Sequence, residues 1–138
     1  MASEFVATFR ESLGRCLATP NFMHDFYDLF IASSTEVREK FKDTEFARQA
    51  RVVTDSLYIM AVVAESKENA IGWQELHRLA TRHARTDLDV RPALYDDWLE
   101  CLVKAARQHD PEFSDEVEDA WRKTLAPGIE YMRSRHSA

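Results

Sequence analysis

The sequence predicts an all-α protein of about seven helices, and three observations carry that expectation. Apolar residues recur at intervals near 3.6 in every long segment, and no segment alternates cleanly with period 2. Only 3 Gly and 4 Pro are spread over the 138 residues, too few for a turn-rich β architecture or a disordered chain. Residues suited to capping helices stand just ahead of most of the apolar stripes.

Ser3 is the expected cap of a first helix, which carries Phe5, Phe9, Leu13, Cys16 and Leu17 on one stripe. It stops at Thr19-Pro20. Thr19 is then the expected cap of a second helix and Pro20 its first residue, where a missing N–H costs little. Met23, Phe26, Tyr27, Phe30 and Ile31 form its apolar face. Ser33-Ser34-Thr35 interrupts, and a short helical turn runs through Val37 to Phe41. Thr44 can cap a long helix with Phe46, Gln49, Ala50, Val53, Leu57, Met60 and Ala64 on one side. Glu65 to Gly72 is polar and reads as a loop. A helix from Trp73 places Leu76, Leu79, Ala80 and His83 at i, i+3, i+4 and i+7. Pro92 opens another, with Tyr95, Trp98, Leu102 and Ala105 inward. Asp110-Pro111 breaks the chain, Ser114 caps again, and Val117, Trp121, Thr124, Leu125, Ile129 and Met132 form the last stripe. There is no internal repeat and no linker, so residues 1–138 read as one domain.

Composition narrows the function. A net charge of −6 and a pI near 5.4 argue against nucleic-acid binding, which needs a basic face to neutralise phosphates. No apolar run is long enough to span a bilayer. Met1-Ala2-Ser3-Glu4 lacks the basic start of a secretory leader. Cys16 and Cys101 lack metal-type spacing and read as reduced, buried packing residues in a cytoplasmic protein.

Three polar residues lie on otherwise apolar stripes. His83 is one; a neutral imidazole can bind a metal through one ring nitrogen while the other donates a hydrogen bond. The Leu79 carbonyl, one turn earlier, is a natural acceptor for that bond. Tyr27 and Gln49 are the others, a phenol and an amide that can both donate hydrogen bonds into a cavity. Val53 would add an apolar wall one turn beyond Gln49, and Phe41 at a helix corner can pack flat on a planar group. Each has a plainer reading: a satisfied core histidine, a core tyrosine, a partly exposed amide. A plain helical bundle has little reason to set all three inward, because buried polar groups destabilise unless satisfied. Arg78, Arg82 and Arg85 face solvent or a cavity rim. His24 reads as a polar edge, His77 as surface, His109 as a loop residue and His136 as part of a terminal tail.

In order, Phe26-Tyr27, Phe30, Phe41, Gln49, Val53, Leu76-x-x-Leu79-x-x-Arg82-His83, Tyr95 and Trp121 resemble the bacterial single-domain globins, which are similar to the haem domain of flavohaemoglobins. The resemblance runs from about Ser3 to Arg135. It implies a globin-like fold around haem b, with His83 as proximal iron ligand and Tyr27 and Gln49 as the distal pair. It further implies that Phe41, Val53, Leu79 and Tyr95 contact the haem. The ligands it implies are diatomic gases: oxygen, nitric oxide or carbon monoxide. It also implies oxidation of nitric oxide with electrons from an external reductase, since no flavin or nicotinamide domain is evident. The sequence departs from the pattern at Thr35, where globins commonly have proline, and in a longer segment from His83 to Tyr95. Glu130 is only a weak match to the carboxylate that tunes the proximal histidine in flavohaemoglobins. A globin-fold sensor or protein-interaction module stays open as the alternative, with exposed Trp73 in its favour. A homodimer through the Trp98 to Met132 region also stays open.

Overall fold

The computed structural model describes residues 2–43, 45–66, 68–83 and 92–135. These residues form seven helices and no strands: α1 (Ala2–Leu17), α2 (Phe22–Ser33), α3 (Thr35–Phe41), α4 (Phe46–Glu65), α5 (Ala70–His83), α6 (Ala93–His109) and α7 (Asp115–Arg135). The all-α expectation holds, and most boundaries follow from local hydrogen-bond chemistry. Ser34 caps α3 by accepting from the Val37 N–H at 3.1 Å. Ser114 likewise accepts from the Val117 N–H at 3.3 Å as α7 begins. Pro92 sits directly ahead of α6, where a residue without an N–H leaves no orphan donor.

Three starts differ from expectation. The first helix begins at Ala2, so Ser3 lies inside it rather than at its cap. The second helix begins at Phe22 with Asn21 at its N-cap position, not at Pro20. The Thr19 hydroxyl is used to finish the first helix instead, donating to the Cys16 carbonyl at 2.9 Å. The fifth helix begins at Ala70, three residues before Trp73. Asn69 explains this, because its side-chain oxygen accepts from the Gly72 N–H at 2.9 Å and caps the turn. The expected cap of the long helix, Thr44, lies outside the described residues.

The packing is nested: α1 lies mainly on α7, α2 on α6, and α4 on both α5 and α7. Trp121 is fully buried, edge-on to Phe9 with ring centroids 4.8 Å apart. Its indole N–H donates to the Ser12 hydroxyl at 2.9 Å, and Ser12 donates to Asp110 at 2.6 Å. Asp110 also accepts two bonds from the Arg15 guanidinium, at 2.5 and 3.0 Å, and one from the Glu112 N–H at 2.9 Å. Burial alone would raise the Asp110 carboxyl, but these donors outweigh it and hold it below the ordinary aspartate range. The outer faces of α6 and α7 are tied by ion pairs, Arg122 with Glu100 and Glu118, Arg107 with Glu118, and Arg133 with Asp96.

The crossing of α4 and α7 is unusually close. A Cβ built at Gly128 would stand 2.5 Å from the Met60 Cγ, so only glycine fits there without a shift. Met60 also lines the cavity enclosed by the helices.

Candidate functional site

An apolar cavity of about 800 Å³, measured out to its solvent-filled mouth, is walled mainly by α2, α4 and α6. Met23, Phe26, Tyr27 and Phe30 face it from α2, the i, i+3, i+4, i+7 stripe that the sequence displays. From α4 come Phe46, Gln49, Ala50, Val52, Val53, Ser56 and Met60; from α6 come Leu94, Tyr95 and Trp98. Phe41 at the end of α3 and Met132 of α7 complete the described wall.

Few polar groups reach this wall, and most are committed. The Ser56 hydroxyl donates to its own helix at the Val52 carbonyl, 2.7 Å away. The Tyr27 hydroxyl donates to the Phe41 carbonyl at 3.4 Å, near the limit for a hydrogen bond and hence readily redirected. Burial pushes the Tyr27 phenol upward, and burial raises the Tyr95 phenol as well. Both therefore keep their protons at neutral pH and can act as donors. Gln49 is half-buried, and among the described residues its amide has no hydrogen-bond partner. Aromatic and aliphatic walls with a few convergent donors suit a flat apolar ring system, so the residues present fit a haem-like group.

Five of the seven residues singled out from the sequence meet at this one cavity: Tyr27, Phe41, Gln49, Val53 and Tyr95. They come from four helices and are far apart in the chain. His83 is the last residue of α5 and Leu79 stands four residues before it; the side chains of both lie outside the described residues, as do Arg82 and Arg85. Trp98 was expected to face inward, and it does so in the cavity wall. Phe46, expected on the apolar side of the long helix, also faces the cavity but is 40% exposed. Nothing in the spacing of α4 distinguishes it from the buried members of its stripe.

Of the remaining histidines, His136 lies outside the described residues. His24 is exposed and pairs with Asp28 at 3.2 Å, as expected of a polar edge. With Asp25 these two form an acidic surface cluster. His77 is exposed on α5 and hydrogen bonds to the Tyr131 hydroxyl at 2.8 Å. His109 is not in a loop; it ends α6, with one ring nitrogen 2.6 Å from Asp25 and the other 3.0 Å from the Thr19 hydroxyl. Trp73 is half-buried rather than exposed, with its ring 5.5 Å from that of Tyr131. Glu130 is exposed on α7. Cys16 and Cys101 are both buried free thiols, and burial pushes the Cys16 thiol up to about 12.

Seven described helices wrapped around one apolar cavity, with a tyrosine and a glutamine in its wall, define a globin-type fold. The globin family model matches residues 24–130, and the chain belongs to the globin family. It is similar to the crystal structure of a Pseudomonas aeruginosa protein described as structurally highly homologous to a human haemoglobin. The two share 33% identity over 96% of this chain and 98% of that one, with a TM-score of 0.90. No curated protein matches the chain. Membership of the globin family implies haem binding and diatomic gas ligands. Among the described residues, no helix is long and apolar enough to cross a membrane.

Proposed function

We propose that the chain holds haem b in this cavity, with His83 as the proximal iron ligand, and reversibly binds a diatomic gas. The observation that carries the reading is the convergence of Tyr27, Phe41, Gln49, Val53 and Tyr95 on one apolar cavity. Haem supplies the iron that takes oxygen, nitric oxide or carbon monoxide. The chain's residues supply the rest. Phe41, Val53, Leu79 and Tyr95 pack against the ring. The Leu79 carbonyl orients the His83 imidazole by accepting its second N–H. Tyr27 and Gln49 donate hydrogen bonds toward the gas, which favours a ligand that gains negative charge over one that stays neutral. The apolar wall excludes water and strengthens those bonds.

Firm retention of oxygen beside two donors suits oxidation of nitric oxide to nitrate. Joining oxygen to nitric oxide as nitrate takes up an electron, which an external reductase would deliver. Two buried free thiols fit a reducing, cytoplasmic setting.

Absorption spectra of the purified protein, oxidised, reduced, and reduced with carbon monoxide, test the reading. An intense Soret band that shifts with each state is expected, and His83→Ala should lose stable haem retention. A featureless spectrum that stays so after haem is added, or unchanged haem content in the variant, would overturn it.

A further inference from the structure

We propose that Phe46 is the door through which small neutral molecules pass into the cavity, and so sets the rate of ligand capture. The inference rests on the reading that gas binds in this cavity. Of the described side chains in the cavity wall, Phe46 is the most exposed, at 40%. Phe46 therefore both lines the cavity and meets solvent, the position of a plug between them.

Its contacts are those of a hinged group. The ring lies 5.5 Å from Tyr27 at an interplanar angle of 63°, and 5.5 Å from His24 at 61°. Both are edge contacts from α2, weak enough to break and directional enough to define a closed position. His24 is itself steadied by its pairing with Asp28 on the same helix. Phe46 is the first residue of α4, and Glu45 before it provides no side-chain cap. The first turn of a helix lacks intrahelical partners for its N–H groups, so it is held less firmly than the turns that follow.

The same geometry sets selectivity. Rotating one phenyl ring opens a gap suited to diatomic gases, while the apolar faces of Phe46, Met23 and Tyr27 disfavour hydrated ions. Because Tyr27 is both the ring's neighbour and the proposed donor to bound gas, opening the door also disturbs the donor. Capture and retention are coupled through that one contact.

Phe46→Ala and Phe46→Trp test the proposal. Phe46 is partly exposed, so both variants should fold, checked by far-ultraviolet circular dichroism. Flash photolysis of the reduced, haem-loaded chain with carbon monoxide gives the association rate. It should rise about tenfold in Phe46→Ala, within the one to three decades over which on-rates vary among variants of one site, and fall in Phe46→Trp. In the haem-free chain, stopped-flow uptake of the neutral fluorescent dye N-phenyl-1-naphthylamine should change in the same order. Rates unchanged in both variants by both probes would overturn the proposal. If the unsubstituted chain shows no Soret band but dye uptake still follows the size of residue 46, the haem reading fails and the door stands.

Discussion

Gly128→Ala should destabilise the protein, although the substitution favours a helix. Gly128 lies inside α7, and replacing a helix-interior glycine by alanine gains about 1 kcal/mol in propensity. Against this, the new methyl would stand 2.5 Å from the Met60 Cγ, 3.0 Å from its Sδ and 3.2 Å from its Cβ. The near part of the side chain is struck, not its flexible end, and Met60 is only 2% exposed. Relief requires either α7 to lift from α4 or Met60 to swing toward the cavity. Such over-packing costs about 1–3 kcal/mol, so the net loss should be near 1 kcal/mol. Met60→Ala alone should cost about 2–5 kcal/mol. With Met60 truncated, the Cγ and Sδ contacts are gone and only the 3.2 Å approach to Cβ remains, so Gly128→Ala should stabilise by most of the propensity gain. The sign of the same substitution thus reverses with its background, a coupling of about 2 kcal/mol. Urea unfolding of the four chains in the cycle measures it, with the slope m held constant as the check on compactness. If Gly128→Ala stabilises the otherwise unsubstituted chain, the α4–α7 crossing is not limited by this contact and the reasoning fails.

Three further outcomes follow from the polar network and the cavity. Asp110→Asn should cost about 2–3 kcal/mol near neutral pH, since it strips the charge from a buried acceptor of Arg15 and Ser12 while Arg15 stays partly solvated. Because the folded Asp110 carboxyl is held below its unfolded value, its contribution is present above about pH 4 and is lost as pH falls toward the folded value. Unfolding measured from neutral to acid pH should therefore show a steeper acid loss in the unsubstituted chain than in Asp110→Asn. Tyr27→Phe should change unfolding stability by under about 0.5 kcal/mol, because the 3.4 Å bond to the Phe41 carbonyl is weak. Under the proposed function it should still raise the oxygen dissociation rate at least about tenfold, as expected on losing a donor to a charged acceptor, measured by stopped flow. Ellman's reagent at neutral pH should label neither Cys16 nor Cys101 in the folded protein and both in denaturant, since both thiols are buried and both are raised by burial.

How much of this was legible in the sequence depends on the range of the interaction. Stripe positions follow from helical spacing alone, so Tyr27, Gln49, Val53 and Tyr95 could be placed inward before any contact was known. A cap that uses the next turn, such as Ser114, was equally local. Thr19 misled because a hydroxyl at a helix junction can serve either neighbour, and here it closes α1 rather than opening α2. The Ser12–Asp110–Arg15 cluster had no local signature, since Asp110 lies 98 residues from Ser12 and 95 from Arg15. A loop aspartate before proline looks like an ordinary helix stop. The exposure of Phe46 was hidden for a related reason: its stripe is apolar throughout, and only the position of α2 decides where that stripe leaves the core.

The pairing of α1 with α7 has a consequence for how the chain is made. Trp121 and Ser12, which join the two helices, are 109 residues apart. A ribosome releases α1 early, and its natural cover is synthesised among the last elements. Until α7 is made, the face carrying Val6, Phe9 and Leu13, all fully buried in the finished protein, lacks its main native partner. Such long-range closure slows folding and leaves apolar surface open to wrong contacts. The nascent chain is thus expected to need shelter by a chaperone at its first helix, and to become independent of it only once Trp121 docks.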